Sequence, residues 1–177
     1  MKEKCIPTIL VQDIKELINS CERLKNDGYK RVELLARNDL VYEALEAVIP
    51  KFKTITFGVG TIINKQQCKI AIKKGAKFIV SPGFSKEIAR VCSRKKVEYI
   101  PGCVTPTEIM GAIKYNITKI KYFPVKSHGG INGIKALRGP FPGVSFIPSG
   151  GIEYEEVEDF LKLPNVCAIC SSCFLKI

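Results

Sequence analysis

"TITFGVGTIINKQQCKIAIKKGAKFIVSPG", residues 54–83, carries the pattern that decides the fold. Residues 54–60 are short, apolar and rich in β-formers. Asn64 then offers an N-cap to a segment that places Cys68, Ile72 and Ala76 at helical spacing, and residues 78–83 return to an apolar run. Strand, short loop, helix, strand is the unit that predicts parallel strands joined by right-handed crossovers.

Outward from this stretch the unit repeats along the whole chain. Further strand-like runs lie at 6–11, 31–36, 98–103, 119–124, 145–150 and 166–172. Helical segments with start signals separate them. Asp13 opens 13–26, Asn38 opens a helix running to Val48, and Ser85 precedes "KEIARVCSRK". Thr105, Pro106 and Glu108 form a capping-box start, and 129–138 and 153–161 supply the last two helices. Eight strands in units of similar length favour a closed barrel over an open, doubly wound sheet. The fold class expected is therefore α/β: a small (β/α)8 TIM barrel that lacks the usual final helix, since the chain stops at Ile177 just after the eighth strand. Residues 1–177 read as one domain, with no linker or low-complexity segment.

Composition narrows the function classes. Hydrophobic residues make up 46% and charged residues 25%, as in ordinary globular chains. No apolar run approaches the roughly 20 residues that span a bilayer, and the N-terminus lacks a signal-peptide pattern, so no membrane partner is expected and the cytoplasm is the expected location. Lys+Arg of 28 against Asp+Glu of 17 gives a net charge of +11. The lysines are spread over nearly every segment without an aromatic-interleaved block, which argues against nucleic acid and for a field that attracts anionic metabolites. The eight cysteines are expected to be thiols. "CAICSSC" at 167–173 resembles part of an iron–sulfur run but lacks its fourth cysteine and proline, so no metal is expected. His128 is the only histidine and reads as a loop residue.

In such barrels the chemistry sits at the C-terminal ends of the strands. Glu33, Arg37, Gly60, Thr61, Pro82, Lys121, Ser149, Gly150, Gly151 and Ser172 all fall there. Lys121 and Glu33 stand inside otherwise apolar strands and need a reason. Alternation places Lys119, Lys121 and Phe123 on one face, with Ile120 and Tyr122 on the other. An ammonium isolated in the barrel is expected to lose solvation and drop in pKa, giving a nucleophilic amine for Schiff-base chemistry, with Glu33 shuttling protons. A buried Lys121–Glu33 ion pair without catalysis fits the same spacing, and both readings stay open at this point. "PSGGI" at 148–152 ends a strand and opens a helix, where glycine N–H groups and the helix start suit a phosphate.

With these residues in place, the chain resembles the family of 2-keto-3-deoxy-6-phosphogluconate (KDPG) and 4-hydroxy-2-oxoglutarate (KHG) aldolases. "VELLAR", "GVGTIIN", "VSPGF", "IPGCVTPTE", "KYFP" and "GPFPGVSFIPSGGI" carry the resemblance, in order and over nearly the whole chain. The resemblance implies a class I lyase that cleaves a 2-keto-4-hydroxy acid to pyruvate and an aldehyde, needs no metal or cofactor and assembles as a homotrimer. It implies Lys121 as the Schiff-base lysine, Glu33 as the proton-handling residue, Arg37 and Thr61 as holders of the pyruvyl carboxylate, and Pro82 as a substrate contact. Ser149, Gly150, Gly151 and Ser172 would form the phosphate loop. The alternative is a non-catalytic descendant that binds phosphorylated or keto-acid ligands. The chain departs from the family pattern at Leu35, often threonine, and at Cys170-Ser171-Ser172, usually Gly-Gly-Ser. The Cys170 and Ser171 side chains are expected to narrow the phosphate cradle.

Overall fold

The computed structural model describes residues 2–175. Its strands are β1 (Cys5–Leu10), β2 (Arg31–Leu35), β3 (Thr56–Gly60), β4 (Phe78–Ser81), β5 (Glu98–Pro101), β6 (Lys119–Tyr122), β7 (Ser145–Pro148) and β8 (Ile169–Ser171). The helices between them are α1 (Ile14–Asn26), α2 (Leu40–Val48), α3 (Lys65–Lys73), α4 (Lys86–Lys95), α5 (Pro106–Ile113), α6 (Gly130–Leu137) and α7 (Val157–Leu161). After β8 the described residues make a 3-10 turn, Cys173–Leu175.

All pairings are parallel. Six strands form one curled run in the order β5-β4-β3-β2-β1-β8, and β6 and β7 form a ladder of their own. Isolated bridges close the ring: Gly102 with Lys121 between the β5 end and β6, and Ser149 with Cys170 between the β7 end and β8. The expected barrel is therefore present.

The start signals act largely as the sequence predicts. Asp13, Asn64 and Ser85 each accept a backbone N–H three residues on, and Thr105 and Glu108 cap each other's backbone. Such caps each contribute about 1 kcal/mol. Asn38 departs from expectation. The helix it was to open starts at Leu40 behind Asp39, whose side chain makes no cap bond, while the Asn38 amide donates to the Val11 carbonyl at 2.9 Å. Its side chain ties the β2–α2 loop to the end of β1 instead.

Period-two alternation divides each strand between two cores. Ile9, Val32, Leu34, Val59, Ile79, Ile120, Phe146 and Ile169 face outward into a layer shared with helix residues such as Leu17, Leu45, Ile88 and Ile134. Ile6, Phe78, Val80, Ile100, Ile147 and Cys170 form a smaller cluster inside the barrel. At the N-terminal end of the strands, Glu98 bonds Arg31 at 2.6 Å and Lys119 at 3.1 Å, and the Arg31 guanidinium lies 4.2 Å from the Phe78 ring centroid. Charge and apolar packing thus plug one end of the barrel, and the site opens at the other.

Among the described residues no helix is long and apolar enough to cross a membrane. Among the described residues no cysteine is in a disulfide. Cys170 belongs to the inner cluster and Cys173 to the outer one, so the "CAICSSC" run does not converge on a point, and among the described residues no group of three or more His, Cys, Asp and Glu side chains is arranged to hold a metal ion.

Candidate active site

The register that pairs β2 with its neighbours brings Glu33 level with Thr8 of β1 and Gly58 of β3. Glu33 points inward and is fully buried. Across the barrel, β6 aims Lys121 at it: Nζ lies 3.1 Å from Oε1 and 3.2 Å from Oε2. Lys121 is 8% exposed and closes the floor of a cavity of about 570 Å³.

Burial alone would push the Lys121 ammonium down. Burial is the largest single influence; the Glu33 carboxylate, by its charge and its hydrogen bond, is chief among those that oppose it, and the net displacement is upward from the ordinary 10.5 despite the field of Arg37. The expectation of a lowered lysine is therefore corrected. It treated the amine as isolated, whereas the carboxylate is in contact with it. An ion pair this well buried is held by mutual contact and not by water, so removing either partner strands the other.

The carboxylate has a second donor. Cys170 Sγ, on β8, lies 2.7 Å from Glu33 Oε2. Burial, and then the negative charge of Glu33, holds the Cys170 thiol well above its ordinary value, so at neutral pH it is S–H and donates. The expected role of Cys170 in narrowing a phosphate cradle is thereby corrected. Alternation turns its side chain into the barrel beneath the cavity, and only its neighbours Ser171 and Ser172 line the opening. Ser171 donates to the Ile152 carbonyl at 3.0 Å and accepts the Cys173 N–H at 3.1 Å, which binds the end of β8 to the loop after β7.

The cavity collects the remaining candidates from separate loops. Arg37, Thr61, Pro82, Ser149, Gly150, Gly151 and Ser172 all line it with Lys121. Glu33 lies beneath it, beside the inward-turned Cys170. Gly150 and Gly151 have φ of 100° and 77°, left-handed conformations that glycine adopts without strain. Thr61 holds φ at 60°, a region costly for a β-branched residue and one where functional positions concentrate. His128 is exposed, with Nδ1 3.0 Å from the Pro124 carbonyl.

Two contributors were not singled out from the sequence, Thr8 and Ser81, which also line the cavity. Phe123, which alternation places on the Lys121 face, lines it too, and the Lys121 Nζ lies 5.6 Å from its ring centroid. Thr8 shares the inward face with Ile6, so alternation along β1 was the available signal. Cys170 had the same signal in β8.

Gly60 sits against the Glu33 carboxylate so closely that a Cβ there would collide with Oε1. Gly60→Ala is expected to lower unfolding free energy by about 1–3 kcal/mol, the usual cost of overpacking. A denaturant titration showing unchanged stability would contradict this account of the position.

Comparison with known proteins decides the family. The model for "Aldolase: KDPG and KHG aldolase" matches residues 1–177. The chain belongs to the KDPG and KHG aldolase family. Its relatives include the 2-dehydro-3-deoxy-phosphogluconate aldolase of Pseudoalteromonas atlantica, 30% identical over 92% of this chain and 76% of the relative. The KHG/KDPG aldolase of Escherichia coli K12 is 29% identical over 94% and 78%. Among solved structures, KDPG aldolase from Legionella pneumophila, with pyruvate captured at low pH as a covalent carbinolamine intermediate, superposes with a TM-score of 0.92 at 32% identity, covering 97% of this chain and 83% of that one. Aldolases of this family are lyases, and the chain is an enzyme of that class.

Proposed function

We propose that the chain cleaves a 2-keto-4-hydroxy acid to pyruvate and an aldehyde through an imine on Lys121. The observation that carries this reading is the buried Lys121–Glu33 contact at the floor of the cavity of a KDPG and KHG aldolase family member. The Legionella aldolase, whose pyruvate adduct is a carbinolamine, supports the same chemistry at a lysine.

The steps follow from the geometry. Because the resting lysine is held as an ammonium, attack requires that its proton move, and Glu33 at 3.1 Å is within reach to take it. The neutral amine adds to the keto carbon, Glu33 returns its proton to the carbinolamine hydroxyl, and loss of that group as water gives the iminium and restores the carboxylate. Glu33 next removes the C4 hydroxyl proton. The C3–C4 electrons pass into the iminium as the aldehyde leaves. The resulting enamine regains a proton at C3, and hydrolysis releases pyruvate and Lys121. Arg37 and Thr61 hold the pyruvyl carboxylate. Pro82 supplies wall, and Ser149, Gly150, Gly151 and Ser172 receive the far anionic group, the phosphate of KDPG or the second carboxylate of 4-hydroxy-2-oxoglutarate. A homotrimer working in the cytoplasm without metal or cofactor completes the reading by family resemblance.

A ligand-binding descendant without turnover is the less favoured reading, since nucleophile and proton carrier are both in contact. Borohydride reduction in the presence of pyruvate, followed by intact mass and peptide mapping, tests the proposal. One pyruvyl-derived addition at Lys121 is expected, whereas labelling of another lysine, or of none in folded protein, would refute the mechanism.

A further inference from the structure

We propose that Cys170 is the positioning residue of Glu33, its thiol tying one carboxylate oxygen so that the other keeps a fixed aim at the substrate while Lys121 is bonded to it. The inference rests on the imine reading above and adds a residue to it.

Glu33 lies in a fully buried place, where a carboxylate must be satisfied by neighbours and not by water. Among the described residues, hydrogen bonds reach it from two side chains, Lys121 on β6 and Cys170 on β8. In the resting protein Lys121 spans both oxygens and could orient the group by itself. During turnover it cannot. An ammonium has three N–H donors, an iminium has one and a neutral imine or enamine nitrogen has one or none. Its nitrogen is also committed to the substrate carbon. At that stage the carboxylate must accept a proton and return it, and its orientation then depends on whatever else holds it.

The thiol is suited to that task. Its strand is fixed independently of the substrate, by the pairing of Cys170 with Ile6 of β1 and by its bridge to Ser149 at the end of β7. Sγ donates to Oε2 at 2.7 Å. Oε1 lies against Gly60, which has no side chain to offer it, and its side-chain donor at rest is Lys121 at 3.1 Å. Once Lys121 is committed to the substrate the two oxygens are unequal: Oε2 stays tied to Cys170 and Oε1 is left to exchange protons. Because the thiol stays protonated, it donates throughout and carries no charge that would oppose the carboxylate. Cys170 touches neither cavity nor substrate, being 2% exposed and absent from the lining, so its influence passes through Glu33 alone.

The proton step can be read separately from imine formation. In D2O, pyruvate bound as the imine loses a methyl proton to Glu33, giving the enamine, and regains deuterium, so methyl deuteration measured by NMR reports the carboxylate. Borohydride trapping reports the imine. Cys170→Ala is expected to leave trapping intact and to slow methyl exchange about tenfold, or about 1.4 kcal/mol of barrier. Cys170→Ser, which restores a donor at the same place, is expected to recover most of that loss. Should the alanine protein not fold, Cys170→Val keeps the site filled, lacks the donor and must show the same slow exchange. Normal trapping with exchange at the wild-type rate in the donorless variant overturns the inference alone. Equal slowing in the serine and alanine variants overturns it as well, since volume would then matter and the donor would not. Absence of any trapped adduct in the wild-type protein overturns the imine reading, and this inference with it.

Discussion

Lys121→Ala abolishes the pyruvate adduct and lowers kcat/KM by about four orders of magnitude or more, the scale on which loss of a covalent nucleophile is felt. Among the described residues Lys121 is the one lysine that lines the cavity, so no other described amine is placed to replace it. The same substitution removes the counter-charge of a fully buried carboxylate. Breaking a buried pair from one side costs about 3–5 kcal/mol, because the remaining charge is stranded. The variant therefore melts earlier than the wild type, and circular dichroism at the assay temperature separates a folded, inactive protein from an unfolded one. Any adduct that persists in folded Lys121→Ala would reassign the nucleophile.

Glu33→Gln is expected to separate two steps that share one pair of residues. Turnover falls by about two to three orders of magnitude, within the range that general acid–base groups supply. Imine trapping persists and extends to lower pH. In the wild-type protein burial is the largest influence and lowers Lys121, the carboxylate is chief among those that raise it, and the net position is above 10.5. With glutamine in place the carboxylate's contribution is gone, while burial and the Arg37 field both act downward. Lys121 then falls, and the neutral amine that attacks pyruvate becomes available at lower pH. Stability follows the same sign. A lysine raised on folding contributes stability that is fully present below its unfolded value and lost as pH rises through the folded one. The wild-type protein therefore has this contribution at neutral pH, and Glu33→Gln lacks it. A trapping profile displaced to higher pH in the glutamine variant would contradict the assignment of the carboxylate as the dominant upward influence.

The parts legible in the sequence were those governed by local periodicity. Lys121 and Glu33 stood out because a charge in a short apolar strand breaks a pattern with period two, and the same alternation predicted their faces. The barrel followed from the even length of the strand–helix units. Other features depend on which strands become neighbours. The Cys170–Glu33 contact joins residues 137 positions apart, and although a closed barrel puts β8 beside β1, nothing in "CAICSS" gives the register that brings Cys170 to the level of β2's carboxylate. The charge state of Lys121 was misjudged for a related reason. Burial could be read from its strand, but the distance to its counter-ion could not. Asn38 shows the local limit: two adjacent residues, Asn38 and Asp39, could each begin a helix, and a carbonyl supplied by another loop decided between them.

The two seams of the ring run through the lysine proposed to react and the thiol proposed to position its carboxylate. Lys121 is one half of the bridge that joins β5 to β6, and Cys170 is one half of the bridge that joins β7 to β8. The six-stranded run already contains Glu33 and Cys170, whereas Lys121 arrives with the separate β6–β7 ladder. An assembly intermediate that has formed only the larger sheet would possess a carboxylate, its thiol neighbour and most of the compact mass, and yet no chemistry. On the imine reading, the meeting of lysine and carboxylate therefore exists only where the β6–β7 ladder joins the larger sheet, so closure of the ring is itself a condition of the chemistry.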